Sequence, residues 1–383
     1  MGFLLKNIAR KLDLMILLLL LILMTISIFC VYSATLIHPD LAGSHIRMMY
    51  FYGIGFAALF SSLFFNYKTV LRFAPIYYAI GLGLLVFLYF KGDTINNSQG
   101  WFSLPGGLSF QPAELCKLLL ILMLAFYLTK RNADTLGLFR DVLPMGIITL
   151  VPFILVLMQP DLGNSIGYVV IWAVMCWIGN LRYSHALIGL VLVAVVSVTA
   201  LYSYVEHHDE VKQFMASKNK AYWLDRIDAV VLPDQASDKA TYHMKRAVMA
   251  IGSGSLLGEG YLQGSSIHSG QVPYTYSDSI FVVIAEEFGF LGSSALLMLY
   301  LLLMYRMMII AQRLKTKSGV YIIAGISAML LFQIFENVGM LVGLMPITGI
   351  TLPFISYGGT SLLINMLSIG LVLNIYIYDD SIE

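Results

Sequence analysis

The sequence predicts an all-α integral membrane protein, a bundle of ten transmembrane helices with one large extracellular loop between the seventh and eighth helices. Three observations predict this fold. Charged residues make up only 12% of the 383 positions, whereas soluble domains carry about 25%. Hydrophobic residues make up 59% of the chain, and they recur in long uncharged runs. The composition therefore excludes an ordinary water-soluble enzyme, a disordered protein and a disulfide scaffold.

Ten predominantly apolar runs have the length that a membrane-crossing helix needs, which is about 20 residues. The first run, 14–37, follows Lys6, Arg10 and Lys11, and its length favours an uncleaved span over a secretory signal peptide. The other spans are predicted at 48–67, 73–90, 112–129, 142–159, 162–181, 184–205, 279–305, 318–343 and 355–378. All three cysteines lie in these runs, so we interpret them as small buried hydrophobic residues.

The distribution of Lys and Arg indicates the orientation of the bundle. With the N-terminus inside, cytoplasmic segments hold 13 of the 23 Lys and Arg residues, and short outside segments hold three. The other seven lie in the 206–278 loop, which the positive-inside rule does not weigh. Both termini are therefore predicted to be cytoplasmic. The net charge of +1 gives no reason to propose a nucleic-acid partner.

The 206–278 loop is the one segment with a soluble character, since it holds 16 of the chain's 45 charged residues. Within it, Met244, Ala247, Val248 and Ile251 follow the spacing of one helix face. This piece is predicted to lie along the membrane surface. A loop of this length more often has a function, such as a binding lid, than serves as a plain connector.

Ionisable side chains within spans cost about 2.5–3.5 kcal/mol on insertion scales and tend to mark functional cavities. At the start of the fourth span, Glu114 and Lys117 are i, i+3 neighbours that could pair, just after Gln111. This motif predicts either a cavity wall facing an anionic ligand or an ordinary helix start. Asp161 lies in the tight turn between spans five and six and could cap span six.

Three more acidic residues lie in the later spans. Glu286 and Glu287 are adjacent in span eight, so their side chains point about 100° apart and at most one can face a common site squarely. Glu336 lies near the outer part of span nine. After it, an uncharged, proline-broken stretch leads to Ser356 and Gly358, which suggests unwound backbone lining a cavity.

Asp278 ends the long loop at the predicted outer membrane boundary. Partial desolvation there would make its carboxylate a stronger base and suit it to general-base catalysis. The alternative is a helix N-cap for span eight, which contributes about 1 kcal/mol. Spacing alone favours the cap.

Taken in order, these motifs resemble those of the SEDS family of bacterial shape, elongation, division and sporulation proteins, the RodA/FtsW/SpoVE group, and favour its RodA branch. The resemblance covers residues 10–378. The matching segments are 111–117, 159–163, 250–254, 277–281, 285–289, 337–340 and 356–360. Three places depart from the family pattern: Ser277 and Ser279 flank Asp278, Gly100 precedes Trp101, and His243 stands where the family has Gln.

The resemblance implies a peptidoglycan glycosyltransferase that polymerises lipid II at the outer face of the bacterial cytoplasmic membrane. It implies a class B penicillin-binding protein transpeptidase as partner, among membrane lipids. Asp278 is the implied general base, acting on the acceptor 4-hydroxyl, and Lys117 is implied to stabilise the undecaprenyl pyrophosphate leaving group. The further predicted substrate-binding residues are Gln111, Glu114, Asp161, Glu286, Ser356 and Gly358.

No metal ligand is predicted, and the seven histidines show no metal-ligand spacing. A divalent cation, Mg²⁺ or Mn²⁺, stays open as a cofactor. Two alternative functions also stay open. One is a flippase for a lipid-linked cell-wall precursor, motivated by the acids and the lysine within the spans. The other is a non-catalytic scaffold or regulator of a morphogenetic complex, motivated by the altered residues around Asp278. Elongation, division and sporulation roles are equally open.

Overall fold

The computed structural model describes residues 11–95, 98–104, 108–131, 135–217, 221–232, 236 and 238–379. Helices dominate this part of the chain, which confirms the all-α membrane class. The helices at the ten predicted spans are α1 (Leu14–Thr35), α2 (Ser44–Ser62), α4 (Ala74–Lys91), α5 (Pro112–Arg131), α6 (Leu143–Met158), α7 (Leu162–Ile178), α8 (Tyr183–Glu206), α13 (Ile280–Arg313), α14 (Lys317–Leu341) and α15 (Gly359–Tyr378). The shorter helices are α3 (Tyr67–Arg72), α9 (His208–Ser217), α10 (Ala221–Val231), α11 (Asp238–Ser253) and α12 (Ser265–His268).

Eight of the described helices are long and apolar enough to cross a membrane, and they coincide with eight predicted spans. The other two predicted spans are also helical. Of these, α7 is apolar but has only 17 residues, and α2 carries polar residues such as His45 and Arg47 in its first turn. The exact limits of each span in the bilayer stay a prediction.

A small antiparallel sheet precedes α5, where the sequence analysis had predicted only a connecting segment. Its strands are β1 (Asp93–Ile95), β2 (Ser98–Leu104) and β3 (Leu108–Phe110), paired in that order. The sheet is tied to α15 because the Thr360 hydroxyl donates to the carbonyl of Ser109 at 2.7 Å and accepts from the backbone N–H of Gln111 at 3.3 Å. This contact sets where α5 begins.

The 206–278 segment consists largely of helices in its described residues, and it defines one side of the bundle, which we call the loop side. The predicted amphipathic helix exists as α11, but its packed face differs from the expected one. Ala247 and Ala250 are fully buried against α13, whereas Val248 is 44% exposed. Small alanines suit the packed face because they let two helices approach closely. The apolar spacing therefore predicted the position of the helix correctly, but it wrongly included Val248 in the buried face.

Helix α13 is broken at Gly289, and residues 255–260 of the long loop lie in the break. Gly289 has φ 65° and ψ −159°, a conformation that is essentially restricted to glycine. On either side, the backbone N–H of Phe290 donates to Ser255 at 2.9 Å and that of Glu259 donates to the carbonyl of Glu286 at 2.9 Å. The break therefore holds residues 255–260 of the 206–278 segment against α13.

Candidate functional site

Asp278 lies in the turn that leads into α13, and its side chain is half-buried. The alternative role as a helix cap is wrong, because Ser279 occupies the N-cap of α13 and makes no side-chain cap. The hydroxyl of Ser277 donates to Oδ1 of Asp278 at 2.9 Å. A neighbouring hydroxyl therefore orients a carboxylate on the loop side of the bundle, as general-base chemistry requires.

The main chain of Asp278 is held by Asn337, a fully buried residue of α14. The Nδ2 atom of Asn337 donates to the carbonyl of Asp278 at 2.7 Å and to that of Ile350 at 2.7 Å. One amide group thus joins the start of α13 to the segment between α14 and α15. In that segment Gly349 has φ 80°, and a Cβ built on it would lie only 3.6 Å from Oδ2 of Asp278.

A second group of polar side chains lies deeper in the bundle, where α5 meets α7 and α14. The Nζ of Lys117 donates to Oε1 of Glu114 at 2.8 Å and to Oδ1 of Asn164 at 2.7 Å. The predicted i, i+3 pair is therefore present. Gln333 donates to the other oxygen of Glu114 at 3.1 Å. Lys117 is only 1% exposed, so its charge is enclosed by its partners.

Asp161 joins this group and also caps α7, so the predicted helix cap is present. Its Oδ1 accepts from the backbone N–H of Asn164 at 3.1 Å. Its Oδ2 accepts from the side chains of Asn164 at 2.8 Å and Gln111 at 2.9 Å. Because Asn164 contacts both Asp161 and Lys117, the structure unites four predicted site residues: Gln111, Glu114, Lys117 and Asp161. We call these residues, with Asn164, Gln333 and Glu336, the buried cluster.

Within the buried cluster, Glu336 is the residue next to Asn337, whose side chain holds the carbonyl of Asp278. It precedes Asn337 on α14 and is fully buried. A Cβ built on Gly163 of α7 would lie 2.9 Å from Oε1 of Glu336 and 2.8 Å from the side chain of Ile350. The lack of a side chain at Gly163 therefore allows Glu336 and Ile350 to pack against the first turn of α7.

Glu286 lies apart from these residues and anchors the long loop. Its carboxylate accepts from the backbone N–H groups of Ser266 at 2.8 Å and Ile267 at 3.1 Å, in α12. The neighbouring Glu287 points elsewhere, as expected for adjacent helix positions. It accepts a hydrogen bond from Ser33 of α1 and pairs with His268 at 3.4 Å. We therefore assign Glu286 a role in loop architecture and leave it out of the proposed substrate contacts.

Ser356 and Gly358 lie in the turn before α15. The Ser356 hydroxyl accepts from the backbone N–H of Leu352 at 2.8 Å, which closes the turn, and Gly358 occupies the N-cap of α15. Between them, the N–H of Tyr357 donates to the carbonyl of Tyr276 at 2.9 Å. The turn is thus attached to the same loop segment that carries Asp278.

His243 of α11 lies beside the start of α13, where the resemblance led us to expect Gln. Its Nε2 shares a hydrogen bond of 2.9 Å with the hydroxyl of Ser279. Burial lowers the pKa of the imidazole to about 4, so the ring is neutral at pH 7 and can act as a hydrogen-bonding group like an amide. The departure at this position therefore preserves polar contact without adding charge.

Sequence reasoning missed two members of the buried cluster, Asn164 and Gln333. Asn164 stands three residues after Asp161 in the first turn of α7, and Gln333 stands three residues before Glu336 on α14. Both are amides within apolar spans, spaced to share a helix side with an acid. That spacing was the signal that could have identified them.

The fold and the site together define a multi-pass membrane protein whose helices enclose a charged cluster close to a half-buried loop-side aspartate. The family model FTSW_RODA_SPOVE, described as cell cycle protein, matches residues 10–380. The chain belongs to this family, which confirms the membership predicted from the motifs.

Individual relatives match over most of the chain. Peptidoglycan glycosyltransferase MrdB of Escherichia coli (strain K12) is 32% identical over 311 residues, covering 79% of this chain and 77% of that protein. Stage V sporulation protein E of Bacillus subtilis (strain 168) is 29% identical over 373 residues, covering 96% of this chain and 97% of that protein. One similar structure was solved in work on the structural coordination of polymerization and crosslinking by a peptidoglycan synthase complex. It has a TM-score of 0.77 and 28% identity, and the match covers 96% of this chain and 98% of that one.

Proposed function

We propose that the protein is a peptidoglycan glycosyltransferase that polymerises lipid II at the outer face of the bacterial cytoplasmic membrane, with Asp278 as the general base. Family membership and the name of the E. coli relative support the reaction class. The position of Asp278 in the structure is the observation that supports its assignment as the general base. Its main chain is fixed by Asn337, its carboxylate is oriented by Ser277, and it remains half-buried rather than enclosed.

In the proposed reaction, the Asp278 carboxylate accepts the proton of the 4-hydroxyl on the acceptor sugar. That oxygen forms a bond to the anomeric carbon of the donor. The bond from the same carbon to the pyrophosphate oxygen breaks, and undecaprenyl pyrophosphate leaves with the electron pair. A positioned general base typically contributes about 10²–10⁴-fold to such a step.

We propose that Lys117, the basic residue of the buried cluster, supplies positive charge for this chemistry. Because it is 1% exposed and paired with Glu114, it acts on the pyrophosphate through its electric field rather than by direct contact in this conformation. Gln111, Asp161 and Asn164 keep the pair in place through the hydrogen bonds described above. We propose that Ser356 and Gly358 shape the substrate side of the site through their attachment to the Asp278 segment.

We place both termini in the cytoplasm, on the strength of the 13 against three distribution of Lys and Arg. This orientation puts Asp278 and the loop side at the outer face, where lipid II is polymerised. A class B penicillin-binding protein is the proposed partner. The similar structure from a peptidoglycan synthase complex that coordinates polymerization and crosslinking supports a transpeptidase in this place.

The experiment is a lipid II polymerisation assay with the purified protein and its partner, read out as glycan strands on a gel. We expect wild type to make strands, and we expect Asp278→Ala to lose about 10²-fold or more of the rate. Asp209→Asn is the control, because its side chain is 97% exposed in the same loop region.

Full polymerisation by Asp278→Ala would refute the proposed mechanism. Transfer of a labelled precursor across proteoliposome membranes that does not depend on Asp278 would instead support a flippase. Rescue of cell shape by Asp278→Ala would support a scaffold.

A further inference from the structure

Three consecutive backbone carbonyls between α14 and α15 each accept a hydrogen bond from a hydroxyl on a different helix. The carbonyls are those of Pro353, Phe354 and Ile355. The donors, in the same order, are Tyr300 of α13, Tyr52 of α2 and Ser27 of α1. All three donors are buried. We call these three side chains the hydroxyl clamp, and the turn that they hold the clamped turn.

The clamped turn depends on these donors because it is buried and strained. Within the part of the chain that the structure describes, no backbone N–H donates to the three carbonyls. A buried carbonyl without any donor destabilises a fold. Phe354 also has φ 63°, a left-handed conformation that a bulky side chain rarely adopts. Such a conformation persists only where the surrounding structure enforces it, and the hydroxyl clamp does so at this turn.

The clamped turn is joined to the Asp278 segment on two sides. On one side, the amide of Asn337 bridges the carbonyls of Ile350 and Asp278. On the other side, the backbone N–H of Tyr357 donates to the carbonyl of Tyr276, two residues before Asp278. A displacement of the clamped turn would therefore reach the proposed base through hydrogen bonds at both of its ends.

We propose that Ser27, Tyr52 and Tyr300 are positioning residues for the glycosyl transfer. They hold the clamped turn, and the turn holds Asp278 where its carboxylate can accept the proton of the acceptor hydroxyl. Misplacement by about 1 Å can lower a rate by about 10²-fold, even when its cause lies far from the reacting atoms. The effect on the rate rests on the proposed function, whereas the coupling between the clamp and the Asp278 segment does not.

The first test measures this coupling without substrate. Hydrogen exchange is followed by mass spectrometry on the purified full chain in detergent, for wild type and for the double variant Tyr52→Phe, Tyr300→Phe. The double variant keeps both rings and loses only their hydroxyls. We expect exchange over 350–358 and 274–279 to become faster by about 10-fold or more, since two buried carbonyls lose their donors.

Tyr78→Phe is the matched control. The Tyr78 hydroxyl also donates to a backbone carbonyl of another helix, that of Ile148, and so joins α4 to α6. Neither of these helices carries a clamp residue, so exchange over 350–358 and 274–279 should stay as in wild type. If the double variant does not fold, its two single variants are compared with Tyr78→Phe in the same way.

The second test measures the effect on the chemistry by single-turnover polymerisation of lipid II. The double variant should react about 10-fold more slowly than wild type with unchanged affinity for lipid II. The same two substitutions in an Asp278→Asn protein should slow the reaction by less than about 2-fold further, because groups that act only through the base then have nothing to position. A purely structural role would slow both proteins by the same factor.

The inference is overturned if the double variant exchanges over 274–279 at the wild-type rate, or polymerises lipid II as fast as wild type. It is also overturned if the two substitutions slow the wild-type and Asp278→Asn proteins equally. A wild-type rate for Asp278→Asn itself would refute the proposed function instead. The exchange measurement would still decide whether the hydroxyl clamp holds the Asp278 segment.

Discussion

Asn337 is the residue on which the position of Asp278 depends most directly, because its amide holds the Asp278 carbonyl and the Ile350 carbonyl together. Asn337→Leu would leave both carbonyls without this donor, at a cost of about 1–3 kcal/mol for each buried group left unsatisfied. We expect kcat for lipid II polymerisation to fall by a larger factor than KM changes. The substitution displaces Asp278 but leaves the other proposed substrate-binding residues in place. Steady-state kinetics on the folded variant measure this split.

Asn365→Leu provides a matched control for this prediction. Asn365 is equally buried and lies on α15, and among the described residues its amide donates only to the Ser361 hydroxyl, at 3.4 Å. The substitution Asn365→Leu should lower the Tm without a selective loss of kcat. Equal effects of the two substitutions on kcat would show that Asn337 has a purely structural role.

Among individual side-chain contacts, the sequence predicted those between residues that are close together in the chain. Glu114 and Lys117 were predicted to pair because i, i+3 positions on a helix are always neighbours. The contacts of Lys117 with Asn164 and of Glu114 with Gln333 could not be predicted, because their partners lie 47 and 219 residues away. Only the packing of α5, α7 and α14 brings them together.

The element with the least expected form is α13, whose break at Gly289 contacts residues 255–260 of the long loop. A Cβ on Gly289 would lie 2.4 Å from the backbone N of Gly258 and 2.7 Å from the carbonyl of Leu256. Gly289→Ala therefore forces the loop away and strains the backbone, at a cost of about 1–3 kcal/mol for the conformation alone. We expect a lower Tm and faster proteolysis within 206–278.

Gly83→Ala is the control for this substitution. Gly83 lies within α4, and nothing approaches within 4 Å of a Cβ built there. Alanine favours helices over glycine, so the Tm should stay the same or rise slightly. A Gly289→Ala protein with the Tm and proteolysis rate of wild type would contradict the docking described for the loop.

The elements were predictable to the extent that hydrophobicity defines them. All ten predicted spans contain a helix because each is a long, predominantly apolar run, and the apolar spacing located α11. The β1–β3 sheet was missed because its strands are short and are stabilised by pairing with one another and by Thr360 of a distant helix. The break in α13 was missed because Gly289 stands within an otherwise helical run, where one glycine is tolerated.

For the molecule as a whole, the orientation follows from where the basic residues lie, and it can be measured directly. We expect a cysteine introduced by Asp40→Cys, between α1 and α2, to react with a membrane-impermeant maleimide on intact cells. Lys315→Cys, between α13 and α14, should react only after permeabilisation. Both positions are exposed in the structure. The native cysteines Cys30, Cys116 and Cys176 are buried and give a low background.

The opposite labelling pattern would invert the bundle and place Asp278 in the cytoplasm. The proposed reaction at the outer face would then be impossible. Labelling of both positions on intact cells would indicate damaged membranes.

The central claim is that the Asp278 carboxylate acts as the base, and single-turnover polymerisation of lipid II by Asp278→Asn tests it most directly. Asparagine keeps the size of the side chain and removes its basicity. We predict a chemical step slower by about 10²–10⁴-fold, with lipid II affinity, measured on the same preparation, close to that of wild type. A rate near that of wild type, or a slow rate explained wholly by lost lipid II binding, would contradict the account.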